Sequence, residues 1–254
     1  MLVLIDIGNT TVGIGVSKNL TAVDKTFKIN TEKNRSSDEY AMTMNLMFKE
    51  IPVTAVIISS VVPELNDVFR EYFQAWHDIT PIFLGAGVKT GIRILSDNPR
   101  EVGSDLIANA VAATERYAKT CLIVDLGTAT TFTYVENLGL KGVIISTGLT
   151  TSRNALISKT SQLPQIELEL PNKLIGTTSI DSIKSGIVYG HASMIDGIIG
   201  RIKRQLGNPA LPVILTGGHA KLIHPLCEQP MTLDERLIFE GLLLIYQRNQ
   251  IKIS

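Results

Sequence analysis

Apolar residues along this chain gather first into two runs built to one plan. Leu2-Val-Leu-Ile-Asp-Ile-Gly-Asn-Thr-Thr-Val-Gly-Ile-Gly-Val16 is an apolar strand, a turn and a returning strand of alternating character. Leu122-Ile-Val-Asp-Leu-Gly-Thr-Ala-Thr-Thr-Phe-Thr-Tyr-Val135 repeats it. In each, the outgoing strand delivers an aspartate, then one apolar residue, then glycine, then hydroxyl-bearing residues. Two copies at so long a period predict duplicated lobes and not a solenoid, which stacks three or more short repeats.

Elsewhere, short apolar runs alternate with stretches of helical spacing. Ala55–Ser59 and Pro81–Leu84 read as buried strands, and Asp38–Lys49 and Pro63–Trp76 as helices. Asp105–Lys119 is rich in alanine and carries Leu106, Ile107, Ala110, Ala113 and Tyr117 at helical spacing, which predicts a helix. In the second half, Gly142–Ser146 and Pro212–Thr216 read as strands. Thr151–Thr160, about Ser179–Leu206, and Asp234–Arg248 read as helices. Strands alternating with helices predict an α/β fold in two similar lobes, residues 1–116 and 117–254.

Composition narrows the function classes. Hydrophobic residues make up 44% and charged residues 19%, which suits a buried globular fold and not a disordered chain. Lys+Arg and Asp+Glu both total 24, so no net charge draws the chain to nucleic acid or an acidic membrane. Arg201, Lys203 and Arg204 read as the polar end of a helix. Two distant cysteines, Cys121 and Cys227, make neither a disulfide framework nor a zinc site and point to a reducing compartment. The first apolar run meets Asp6 too early for a signal peptide, and no run approaches the roughly 18–20 residues of a membrane span. The four histidines show no metal-ligand spacing. A cytoplasmic protein with neither nucleic-acid nor membrane partners is expected.

The hairpin turns carry the first candidate chemistry. Asp6 at a strand end can organise a hydrated Mg²⁺, an ion that takes few carboxylates and keeps its waters. Gly8 lets backbone approach a ligand, and Asn9, Thr10 and Thr11 offer N–H and hydroxyl groups to a phosphate chain. A plain tight hairpin uses the same residue types. The second copy, with Asp125 and Thr128, tips the reading toward two loops gripping one triphosphate, since phosphoryl transfer depends on positioning and charge stabilisation. Neither GxxxxGK[ST] nor a strand-following GxGxxG is present, and Gly13 and Gly15 fall inside the returning strand. Gly217-Gly218 directly follows the strand Val213-Ile-Leu-Thr216 and leaves room for a flat ring, or serves as a strand-to-helix junction needing positive φ.

These three pieces in this order resemble the actin-like ATPase superfamily, whose ribonuclease H-like lobes hold mixed sheets flanked by helices. The likeness narrows with Asp97-Asn-Pro-Arg-Glu-Val-Gly-Ser-Asp105, Asp125-Leu-Gly-Thr-Ala-Thr-Thr-Phe132, Ile175-Gly-Thr-Thr-Ser179 and Ser185-Gly-Ile-Val-Tyr-Gly190, which together resemble type III pantothenate kinase. The resemblance runs from Asp6 through Glu240. It implies ATP-dependent phosphorylation of pantothenate to 4′-phosphopantothenate, the opening step toward coenzyme A. It also implies ATP contacts at Asp6, Gly8, Asn9, Thr10, Thr11, Gly13, Thr128, Gly217 and Gly218, with Mg²⁺ at Asp6 and a monovalent cation, K⁺ or NH₄⁺, at Asp125. Gly103, Ser104, Asp105, Leu106 and Ser179 become substrate positions, Asp105 the general base, and the assembly a homodimer.

Read on their own, Asp105 with Ser104, and Ser179, are equally helix N-caps. Three positions depart from the family. Leu106 stands where an arginine is common, Ser96 where a tyrosine is common, and Ile145-Ser-Thr-Gly148 replaces a proline-containing lead-in. They leave two other readings open: a nucleotide-binding accessory protein that transfers nothing, and a kinase of another small hydroxyl-bearing metabolite. Gly186, Gly190, Gly197 and Gly200 in one long helix point to close packing, either within the chain or across a dimer.

Overall fold

The structure, a computed structural model, describes residues 1–48, 52–159, 164 and 166–250. The chain forms β1 (Leu2–Ile7), β2 (Thr11–Ser17), β3 (Lys25–Asn30), α1 (Ser37–Met44), β4 (Ala55–Ser60), α2 (Asn66–His77), β5 (Ile82–Phe83), β6 (Arg93–Ile94) and α3 (Ser104–Arg116). It continues through β7 (Cys121–Leu126), β8 (Ala129–Glu136), β9 (Gly139–Thr147), α4 (Leu149–Ser158), α5 (Ser179–Gln205), β10 (Val213–Thr216), α6 (Ala220–Ile223), β11 (Thr232–Leu233) and α7 (Leu237–Gln250). Two compact units result. One holds Met1–Arg116, Leu138–Leu140 and the stretch from Arg236 onward; the other holds Tyr117–Asn137 and Lys141–Glu235. Among the described residues no helix is long and apolar enough to cross a membrane.

The first unit is built on a sheet of order β3-β2-β1-β4-β5, with β1 antiparallel to β2 and parallel to β4. Strand residues alternate between two faces. Val3, Ile5, Ile7, Val12, Ile14, Val56 and Ile58 share one face and bury against Tyr40, Phe69, Tyr72 and Phe73 of α1 and α2. Leu4, Asp6, Gly13, Gly15, Ile57 and Ser59 fall on the opposite face by the same alternation. There α7 lays the Phe239 ring directly over Gly13 and Gly15, where a Cβ would press into it. The helix α1 starts in a capping box between Ser36 and Glu39 and stops at Met44, short of the expected Lys49, which lies outside the described residues.

The closing helix is a correction to the sequence reading, which gave 117–254 to the second lobe. It belongs to the first unit because α7 and α3 approach so closely that Gly241 rests on the Ala108 backbone, while Arg116 pairs with Glu240 at 3.1 Å. The spacing of Leu237, Leu242 and Ile245 announces a helix but not the sheet it covers. Gly241→Ala tests this contact. Ala normally gains roughly 1 kcal/mol over Gly inside a helix. Here its methyl meets backbone, which no rotamer can relieve, and overpacking costs about 1–3 kcal/mol. We expect the melting temperature to fall, by up to about 8 °C, in a calorimetric scan; a higher value would refute the close approach.

In the second unit the strands lie in the order β11-β10-β7-β8-β9, with β7 antiparallel to β8 and parallel to β10. This repeats the first sheet with β7 in the place of β1, so the echo of the two hairpins extends across five strands. Leu122, Val124, Leu126 and Phe132 bury against Val188, Ala192, Ile195 and Ile199 of α5. The helix α5 is capped by Thr178, whose hydroxyl accepts the Asp181 N–H at 3.1 Å, so Ser179 is its first residue and not its cap. Among the described residues nothing lies within 4 Å of a Cβ built on Gly186, Gly190 or Gly197, which removes close packing within the chain as their reason. The helix α4 ends at Ser158; the expected last residue, Thr160, lies outside the described residues.

Candidate active site

In the first unit the parallel strands β1 and β4 finish at the same sheet edge, with Asp6 opposite Ser59 and Ile7 opposite Ser60. Open α/β sheets bind ligands at this carboxyl edge. The chain turns there at Gly8, whose N–H donates to the Thr11 carbonyl at 3.0 Å, while Thr31 donates its hydroxyl to the Gly8 carbonyl at 2.6 Å. The turn is thus tied down from inside, and Asn9 and Thr10 remain exposed beyond it, with Thr11 partly so. Gly13 sits opposite Asp6 beneath Phe239, so its missing side chain makes room for the helix that backs the Asp6 strand.

Asp105 is the second residue of α3, directly after the residue that ties the helix to this edge. The residue before it, Ser104, accepts the Ser60 N–H at 3.0 Å, donates to the Ser60 carbonyl at 3.1 Å, and lies 2.9 Å from the Ser59 hydroxyl. Ser104 therefore spends its hydroxyl on β4 and not on capping α3. One carboxylate oxygen of Asp105 accepts the Leu106 N–H at 2.9 Å and rests so close to Gly103 that a Cβ there would collide with it. Loss of hydration raises the Asp105 pKa above the ordinary carboxylate value, and the Leu106 N–H offsets part of that rise. The Leu106 side chain is buried, so only its main chain serves the carboxylate. Ser96 keeps a buried hydroxyl with no hydrogen-bond partner among the described residues, and Arg100 is exposed in a 3₁₀ turn.

The second unit repeats the edge with Asp125 opposite Thr131 on β8 and Thr216 on β10. Gly217 takes φ +97°, and a Cβ on it would strike the Asp125 carboxylate and the Leu126 backbone. Thr128 is exposed, and its carbonyl accepts the Gly148 N–H at 3.1 Å and the Thr151 hydroxyl at 2.8 Å. The start of α4 thus clamps the turn, and Gly148 is there because any side chain would enter the Gly127–Thr128 backbone. Below the turn, the buried Thr130 hydroxyl lies 2.8 Å from His191 Nε2. Burial first, and His219 second, lower the His191 pKa to about 4, which keeps the imidazole neutral at ordinary pH. Gly218 is exposed at the junction, and Ser179 is exposed at the head of α5.

Asp6, Ser104 and Asp105 are brought together at one edge; Asp125, Thr128 and Gly217 are brought together at the other. Sequence reasoning missed Ser59, Gly148 and Thr151. The signal for Ser59 was present, as a hydroxyl closing the otherwise apolar run Ala55–Ile58. Among the described residues no three His, Cys, Asp or Glu side chains cluster to cage a metal. Asp6 and Asp105 at the first edge and Asp125 at the second suit instead an ion that takes few carboxylates and keeps its waters.

Comparison with known proteins gives two kinds of likeness. The sequence profile of the type III pantothenate kinases matches residues 2–201. A type III pantothenate kinase of Shouchella clausii is 41% identical over 256 residues, covering 98% of this chain and 100% of the relative. One from Myxococcus xanthus is 41% identical over 255 residues, covering 98% and 99%. Among solved structures, component A of the (R)-2-hydroxyglutaryl-CoA dehydratase of Acidaminococcus fermentans superposes with a TM-score of 0.58 at 14% identity, covering 99% of each chain. At that identity the likeness speaks to fold alone, and with the sheet order it makes the fold actin-like.

Proposed function

The chain belongs to the type III pantothenate kinase family, and from that premise we propose that it transfers the γ-phosphoryl group of ATP to the free alcohol of pantothenate, giving 4′-phosphopantothenate. The observation that carries this reading is the anchoring of Asp105, through Ser104, to the strand end opposite Asp6. That is the placement a kinase needs between its acceptor and its phosphate end.

In this reading Asp105 accepts a hydrogen bond from the pantothenate hydroxyl and aims its oxygen at the γ-phosphorus. As the new O–P bond forms, the bond from phosphorus to the β–γ bridging oxygen breaks, ADP leaves with the electron pair, and the alcohol proton passes to Asp105. A carboxylate is too weak a base to ionise an alcohol beforehand, so orientation is its larger service. Gly103, Ser104, the Leu106 main chain and Ser179 form the substrate-facing segment. Gly8, Asn9, Thr10 and Thr11 receive phosphate oxygens, with Gly13 backing that hairpin, and Thr128, Gly217 and Gly218 serve the nucleotide from the second unit. Asp6 is assigned Mg²⁺ and Asp125 a monovalent cation, K⁺ or NH₄⁺; bound with ATP, these ions offset phosphate charge. The open glycine face of α5 supports a homodimer.

The test is ADP release in a coupled assay containing ATP, Mg²⁺ and K⁺, with and without pantothenate. Turnover that requires pantothenate is expected, from a species that light scattering sizes at twice the chain mass. Turnover no higher with pantothenate than without it would overturn the assignment.

A further inference from the structure

The geometry points to Ser59 as a positioning residue for the transfer, its buried hydroxyl fixing where the helix that carries Asp105 begins. This rests on the kinase reading above and extends it to a residue that contacts neither substrate. Ser59 is 0% exposed in a strand whose preceding residues, Ala55 to Ile58, are all apolar. Nothing in the packing asks for oxygen there; alanine would fill most of the same space. A buried hydroxyl needs a partner, and the partner is Ser104, 2.9 Å away.

The direction of that bond follows from counting protons. A serine hydroxyl has one proton and two lone pairs. Ser104 gives its proton to the Ser60 carbonyl at 3.1 Å and accepts the Ser60 N–H at 3.0 Å. Its remaining lone pair takes the proton of Ser59. The first residue of α3 is therefore held to the end of β4 from three directions, and the next residue is Asp105.

Ser59 also sets the reference point. It pairs with Asp6 in the parallel ladder between β1 and β4, so both side chains leave the same face of the sheet. The path from Asp6 across the ladder to Ser59, then Ser104, then Asp105 contains no loop. Removing the Ser59 hydroxyl leaves Ser104 with its two backbone bonds, so the fold keeps its contacts while the head of α3 loses one of three restraints. A misplacement of about 1 Å costs on the order of 100-fold in rate, and a partial drift should cost less.

The experiment compares Ser59→Ala and Ser59→Cys with the wild type. Cysteine refills the site with a slightly larger group that donates only weakly, and it decides the matter if the alanine variant fails to fold. In both variants kcat with pantothenate should fall about tenfold or more, with KM for ATP within about twofold and the melting temperature nearly unchanged. The inference is overturned if kcat stays within about twofold of wild type. It is equally overturned if kcat, ATP binding and melting temperature fall together, because that pattern marks a structural role only. A wild-type enzyme inert toward pantothenate is a different failure, and it counts against the kinase reading itself.

Discussion

Asp105→Asn is expected to lower kcat by about 10²–10⁴-fold, with KM for ATP within about twofold. The amide keeps the shape of the carboxyl and can still accept one hydrogen bond from Leu106. It cannot take the alcohol proton, and it presents neutral groups where the attacking oxygen needs a negative one. Such a split, rate lost and ATP binding kept, belongs to a group that works in the transition state. The same substitution should leave stability equal or higher at neutral pH. The Asp105 pKa is raised in the folded protein by desolvation, so the folded state resists ionisation more than the unfolded chain does. Stability is then greatest below the unfolded value and is lost as pH rises through the folded one. An amide carries no such penalty above that window. In the wild type, kcat/KM should fall with decreasing pH along a limb above the ordinary carboxylate range, and the variant's residual activity should lack that limb. Wild-type kcat in Asp105→Asn would remove Asp105 from the mechanism.

Gly217→Ala should raise KM for ATP about tenfold or more and lower the melting temperature by several degrees. Two costs combine. A non-glycine residue at φ +97° is strained by roughly 1–3 kcal/mol. The added methyl also meets the Asp125 carboxylate and is driven into the Leu126 backbone, which no rotamer change can move away. Relief requires β10 to slide against β7, where Thr216 pairs with Asp125. That displacement moves the carboxylate and the exposed Gly218 junction together, so ATP binding is lost along with stability. Each 1 kcal/mol corresponds to about 2–4 °C in a chain of this size. Isothermal titration with a non-hydrolysable ATP analogue and a thermal melt read both effects. Normal ATP affinity with a depressed melt would mean that Gly217 serves the fold alone.

The two hairpins were legible because their signal is local. A strand, an Asp-x-Gly turn and a returning strand are all written within about fifteen residues, and the second copy supplied an internal check. From them the α/β class and the doubled sheet follow. What stayed hidden depends on contacts distant in sequence. Nothing near Leu237 says that α7 covers β1 and β2, because Phe239 finds its place only where Gly13 and Gly15 leave a hollow more than 200 residues away. The cap readings of Ser179 and Ser104 failed for a related reason. Adjacent hydroxyl residues are equivalent caps on paper, and only the backbone decides that Thr178 turns to Asp181 while Ser104 turns to β4. Gly148 was invisible as a clamp because its partner is a carbonyl, Thr128, and side-chain patterns carry no record of carbonyls.

The membership of α7 in the first unit bears on how the molecule is made. Synthesis proceeds from the amino end, so β1, β2 and β4 leave the ribosome long before Phe239 and Gly241 exist. Helices α1 and α2 can cover one side of the nascent sheet at once, but Leu4 and Ile57 on the other side wait for α7. The unit that is started first is therefore completed only after the second has been made, and the growing polypeptide carries an uncovered apolar surface until α7 emerges.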